Sequence, residues 1–184
     1  MQKVIISVLG QDRPGILAAV SQALLSQDCN IENVSQTILQ SIFGAILIIS
    51  KPPGLSEEML CKKLQEAVTH LSLDVTVTQF YPEKSEIAVQ DSQPFIITTS
   101  GPDKKGLVAG ISSTLAGHGG NITNLKAAFK GGDNPLNNMM IYEVDVPNTV
   151  PLPVFYADLK KKAAQLGIKI NIQHRRIFEA INRI

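Results

Sequence analysis

What most limits how this chain can fold is that it repeats itself. Displacing the sequence by 91 residues superimposes Gly10-Gln11-Asp12-Arg13-Pro14-Gly15-Ile16-Leu17-Ala18 on Gly101-Pro102-Asp103-Lys104-Lys105-Gly106-Leu107-Val108-Ala109. The same offset carries Ser21, Leu24, Asn30, Ile31 and Asn33 onto Ser112, Leu115, Asn121, Ile122 and Asn124 without a gap. Further along, the offset becomes 95: Leu60, Leu64, Val68 and Leu71 meet Phe155, Leu159, Ala163 and Leu166, and Val75 and Val77 meet Ile170 and Ile172. The second copy is therefore four residues longer, with the insertion falling between the positions equivalent to Val34 and Phe43. Gly131-Gly132-Asp133-Asn134-Pro135 is the turn-rich stretch expected to hold it. A period of this length is far beyond that of solenoid repeats, so the chain reads as a duplicated domain.

Each copy can be read once and checked against the other. Val4, Ile6 and Val8, like Phe95 to Thr99, open the copy with a strand. A glycine-containing turn leads into a helix whose apolar face is Ile16, Val20, Ala23 and Leu24, repeated by Leu107, Val108, Ile111 and Leu115. Pro14 is expected in the first helical turn, where its missing N–H costs nothing. Asn30 and Asn121 are expected in the left-handed turn after that helix. Two strands, a second helix and a last alternating strand follow, giving β-α-β-β-α-β twice. With right-handed crossovers this order makes an α+β chain of two ferredoxin-like domains, each a four-stranded antiparallel sheet with both helices on one face. The expected boundaries are 1–81 and 94–176, with a linker at 82–93 and a tail at 177–184. Ile42 to Ile49 is apolar on successive residues, which predicts a buried strand and an open face covered by another copy. Pairing of the two copies and dimerisation of the chain are the corresponding expectations.

Composition narrows the function. The 184 residues carry a net charge of +1, with 44% apolar and 18% charged side chains, a balance that suits a globular chain and excludes a polyanion-coating protein. Cys29 and Cys61 match neither a metal-ligand spacing nor a disulfide framework, which points to a reducing, cytoplasmic setting. The opening residues lack a secretory signal pattern, and the eight apolar residues from Ile42 are too few for a membrane helix, which takes about twenty. Gly101 and Gly106 have the outer spacing of a phosphate-binding loop, yet Leu107 stands where its lysine belongs. Gly110-Ile111-Ser112-Ser113-Thr114 lacks the closing glycine of a nucleophile elbow. His70, His118 and His174 show no ligand spacing, so no metal site is expected. Lys160-Lys161-Lys162 and His174-Arg175-Arg176 read as solvated faces; with few aromatic residues and near-neutral charge, no direct nucleic-acid contact is expected. No enzymatic activity and no cofactor follow from these failures.

The doubled Gly-x-Asp-x-x-Gly element has a physical use, because amides at a helix start favour an anion such as a carboxylate. Asp12 or Asp103 could neutralise an ammonium group, and the side-chain amide of Asn30 or Asn121 could meet either end of an amphoteric ligand. The same residues also admit a purely structural reading: the aspartates as helix caps, Gly15 and Gly106 as packing sites, the asparagines as turn residues.

Gly10-Gln11-Asp12-Arg13-Pro14-Gly15-Ile16-Leu17, followed by Asn30-Ile31, resembles the signature of the ACT domain, a small amino-acid-sensing module. Two such modules without an attached enzyme is the layout of the glycine cleavage system transcriptional repressor family. The resemblance implies a small amino-acid effector, glycine or serine first, at domain interfaces. It would be held by Gly10, Asp12, Arg13, Pro14, Gly15, Ile16, Asn30 and Ile31, and by Asp103, Gly106, Leu107, Asn121 and Ile122. It also implies a regulator acting on a protein partner such as a transcription activator; the other reading is a ligand-free dimerisation scaffold. The second copy departs from the pattern in having Lys105 where the first has Pro14.

Overall fold

A computed structural model describes residues 2–81, 91–129 and 138–176. The chain divides into two compact units, Met1–Lys84 and Ser85–Ile184. The first unit runs β1 (Gln2–Gln11), α1 (Ile16–Ser26), β2 (Asn30–Leu39), β3 (Ile42–Lys51), α2 (Glu57–Val68), a 3₁₀ turn (Thr69–Leu71) and β4 (Leu73–Gln79). The second runs β5 (Ser92–Gly101), α3 (Leu107–Gly117), β6 (Asn121–Phe129), β7 (Asn138–Pro147), α4 (Leu152–Leu166) and β8 (Lys169–His174). Their sheets have the orders β2-β3-β1-β4 and β6-β7-β5-β8, with every neighbouring pair antiparallel. Both units are ferredoxin-like, and the duplication seen in the sequence is a duplication of fold.

Side-chain periodicity explains the layering. Val4, Ile6 and Val8 of β1 and Phe43, Ala45, Leu47 and Ile49 of β3 share one sheet face, and all are buried. Onto that face pack Ile16, Val20 and Leu24 of α1 and Leu60, Leu64 and Val68 of α2, spaced by four so that each helix presents one stripe. The second unit repeats this with Leu107, Ile111 and Leu115, and Phe155, Leu159 and Ala163, over Tyr142 and Val144. Each large aliphatic side chain buried here contributes about 1.5–3 kcal/mol. Ser56 caps α2 by accepting from the Met59 amide at 3.1 Å, with Glu57 and Glu58 favourably placed in the first turn.

Four expectations require correction. Ile42–Ile49 is not buried on both sides: Ile42 and Ile46 are 42% and 58% exposed on the face opposite the helices, because the helices cover only one side of β3. Pro14 precedes α1 instead of entering it, since Gly15 first turns the chain at φ 94°. Asn30 and Asn121 are the first residues of β2 and β6, and the left-handed positions belong to Asp28 and Gly119 (φ 56° and 69°). Ser92 and Gln93, assigned to the linker, are strand residues paired with Pro147 and Val146. Four residues separate Ile38 from Phe43, and eight separate the equivalent Phe129 and Asn138, so the insertion lies within 130–137. That segment, including Gly131 to Pro135, and also 82–90 and 177–184, lies outside the described residues.

The two copies close their helices differently. Asp28 and Ser72 of the first copy are left-handed where the second has Gly119 and Gly167, at φ 56° and 54° against 69° and 67°. Replacing Asp28 or Ser72 by glycine should raise the unfolding free energy by about 0.5 kcal/mol each. That is left-handed strain relieved, less the extra freedom of glycine in the unfolded chain; denaturant melts check it. Burial pushes the Cys29 thiol up, with Asp28 adding to the effect and Lys51 opposing it, and burial likewise pushes up the Tyr142 phenol. Both groups hold their proton more tightly in the folded chain. Their contribution is therefore intact below the range of the unfolded groups and lost as pH climbs towards the raised values. Thermal midpoints should fall at alkaline pH, and Tyr142→Phe should flatten that fall.

Candidate functional site

Each first strand has a glycine as its last or next-to-last residue for a steric reason. A Cβ on Gly10 would lie 2.7 Å from Leu73 Cδ2 and 3.0 Å from the Ser72 carbonyl oxygen, and one on Gly101 would lie 2.9 Å from Ile168 Cγ2. The chain can thus leave the sheet only by brushing past the start of the last strand. The Asp12 amide then donates to the Ser41 carbonyl at 2.8 Å, tying the loop to the β2–β3 turn. Asp12, Arg13, Pro14 and Gly15 are all exposed. Gly15 and Gly106 have open space around them, so their role is conformational: at φ 94° and 88° they turn the chain into α1 and α3.

Neither helix start carries a side-chain cap, and neither has an acidic residue in its first turn. Asp12 and Asp103 are therefore not caps. The opening amides of two eleven-residue helices remain without a capping side chain next to an exposed loop that carries one carboxylate. Ile16 and Leu107 are core residues, 2% and 4% exposed, and offer a ligand only their backbone.

Asn30, Ile31, Asn121 and Ile122 lie elsewhere. Asn30 pairs with Ser50, which pairs with Lys3, at the end of the sheet where β1 begins; Gly10 stands seven rungs away at its other end. That is about 23 Å at strand spacing. The parallel relation of β1 and β2 makes this unavoidable, and β5 and β6 repeat it. Within one unit the two halves of the sequence signature are not brought together. Both edge strands carry a β-bulge, between Ile31 and Asn33 and between Ile122 and Asn124.

The second loop has one participant that residue-type reasoning missed. Asn138, 6% exposed, donates from Nδ2 to Asp103 Oδ1 at 3.3 Å. The signal was available in the offset of 95, which sets Asn138 against Phe43. At the opposite end of α3, His118 and Asp158 approach at 3.1 Å beside a hollow of about 400 Å³ bordered by Lys161 and Lys162. Among the described residues, no group of three or more His, Cys, Asp or Glu side chains is placed to hold a metal, and no helix is long and apolar enough to cross a membrane.

Comparison with known proteins bears on this loop-and-helix arrangement. The family model described as the ACT domain matches residues 2–78 and again 93–173. A UPF0237 protein of Methanopyrus kandleri is 36% identical over 78 residues, 42% of this chain and 87% of its own length. One from Lactococcus lactis is 32% identical over 89 residues, 48% and 97% of the two chains. Among solved structures, an unknown protein from Galdieria sulphuraria superposes with a TM-score of 0.74 at 20% identity, covering 94% of this chain and 98% of that one. A protein assigned as a glycine cleavage system transcriptional repressor superposes with a TM-score of 0.66 at 17% identity, covering 94% and 96%. At these identities the two structures establish a shared fold.

The two motif glycines should fail differently. Gly10→Ala should cost about 1–3 kcal/mol through overlap with Leu73, and Gly10→Asn more. Gly15→Ala should cost about 1–2 kcal/mol through left-handed strain, with Gly15→Asn cheaper than the alanine. Denaturant melts of the four variants should give opposite rank orders at the two positions.

Proposed function

The chain belongs to the ACT domain family, a regulatory fold present here in two copies, and we propose that it is a non-enzymatic sensor of a small amino acid. The observation that carries this reading is the pair of uncapped helix starts, each entered through a left-handed glycine at the end of a loop that carries an exposed aspartate. The amides suit a ligand carboxylate, and the aspartate suits its ammonium group. Glycine or serine is the first candidate on the family resemblance.

Since Asp12 and Asn30 sit at opposite ends of one sheet, Asn30 can contribute only from a second copy of the module. The effector then acts by favouring one arrangement of modules over another, as any regulatory ligand must. We place the chain in the cytoplasm, as a homodimer whose ligand state alters its hold on a protein partner such as a transcription activator of glycine or one-carbon metabolism. With Ser92 and Gln93 counted in the strand, we take 1–81 and 92–176 as the working units. A second reading, a ligand-free dimerisation scaffold, draws on the apolar open face of the first sheet, where Leu9, Ile42 and Ile46 are 54%, 42% and 58% exposed.

Thermal shift of the full chain against the twenty amino acids separates the readings. A ligand at one hundred times its dissociation constant should stabilise by about 2.7 kcal/mol, and the absence of any shift at millimolar concentrations would leave the scaffold. Asp12→Asn should leave stability in the absence of ligand within about 0.5 kcal/mol, because no cap is lost. If ligand affinity is also unchanged in Asp12→Asn and in the matching Asp103→Asn, the aspartates have no role in recognition.

A further inference from the structure

Phe43 and Asn138 occupy one position in the two modules, paired with Gly10 and Gly101 near the start of β3 and β7. Phe43 is 4% exposed and fills the first core together with Ile16. Asn138 lies on the same helix-covered side, in line with Met140 and Tyr142, and is 6% exposed. Its Nδ2 donates to Asp103 Oδ1. A carboxylate only accepts, so the amide must turn its nitrogen to Asp103, and Oδ1 is left buried without a donor among the described residues. An unpaired buried acceptor is costly, and it stands beside the loop that opens the uncapped α3.

On the amino-acid reading above, we propose that Asn138 Oδ1 is the acceptor for the ligand's ammonium group in the second module. The ammonium lies between Asp103 and Asn138, and the ligand carboxylate takes the opening amides of α3. Three N–H donors on one ammonium satisfy both oxygens at once, which a neutral hydroxyl cannot do. The first module has a phenyl ring in this place and lacks the acceptor, so the second module holds the tighter site.

Calorimetry of the full chain with glycine and with serine tests this, alongside trimethylglycine, which keeps the carboxylate and has no N–H. The wild type should bind glycine at one dominant site per chain and should not bind trimethylglycine. Asn138→Leu should weaken glycine by about tenfold or more, the loss expected for one charge-assisted hydrogen bond. Its midpoint without ligand should be equal or higher, because an unpaired buried acceptor is gone. Unchanged affinity in Asn138→Leu, two equal sites per chain, or binding of trimethylglycine overturns the proposal while leaving the sensor reading intact. No binding of any amino acid to the wild type overturns both. If the leucine variant melts earlier, the trimethylglycine comparison on the wild type decides.

Discussion

Both modules depend on a missing side chain near the end of the first strand. Gly10 and Gly101 let the chain leave the sheet against the backbone and side chain that begin the last strand, at distances no Cβ would tolerate. That close crossing sets where the loop can run and hence where the first helix starts. A left-handed glycine then completes the turn, so neither helix acquires a side-chain cap. Tight packing before the loop and an unfilled donor site after it are one geometric arrangement.

Around this shared frame the copies have diverged where burial allows it. The first copy buries Lys51, 2% exposed, and satisfies its ammonium with Gln2 Oε1 and the Leu55 carbonyl, with Glu57 at 3.9 Å. The second has Val146 there and needs none of these partners. Where the first copy turns on Asp28 and Ser72, the second turns on glycines. Phe43 against Asn138, like Val8 against Thr99, brings a polar group onto the covered side of the second sheet, and it falls beside the loop.

The fold was legible in the sequence because it is written in period: residues four apart on the helices, two apart on the strands, and all of it twice. What misled was residue type read without register. Proline suits a helix start and asparagine suits a left-handed turn, but Gly15 and Asp28 already fill those places, one residue after Pro14 and two before Asn30. Asp12 suited a cap by composition, yet its backbone amide is what bonds, to Ser41. The separation of Asp12 from Asn30 was implicit in the parallel orientation of the first and second strands on either side of the third, which returns the chain to the end where it began. Asn138 was hidden because its meaning lies in contrast with Phe43, not in its own neighbours.

The bulges of the two edge strands decide which way the repeated asparagines point. In an unbroken strand, residues three apart face opposite sides of the pleat. Here Asn30 is opposite Ser50 and Asn33 opposite Ile48, while Asn121 is opposite Asp145 and Asn124 opposite Glu143. Each partner pair is two apart, so both asparagines of each copy stand on the sheet's open side. Glu32 and Thr123 are the extra residues that the partner strand does not count. An Asn-Ile-x-Asn spacing that looks helical when read along the chain is thereby a strand signal, one that sets two amides side by side along an exposed rim.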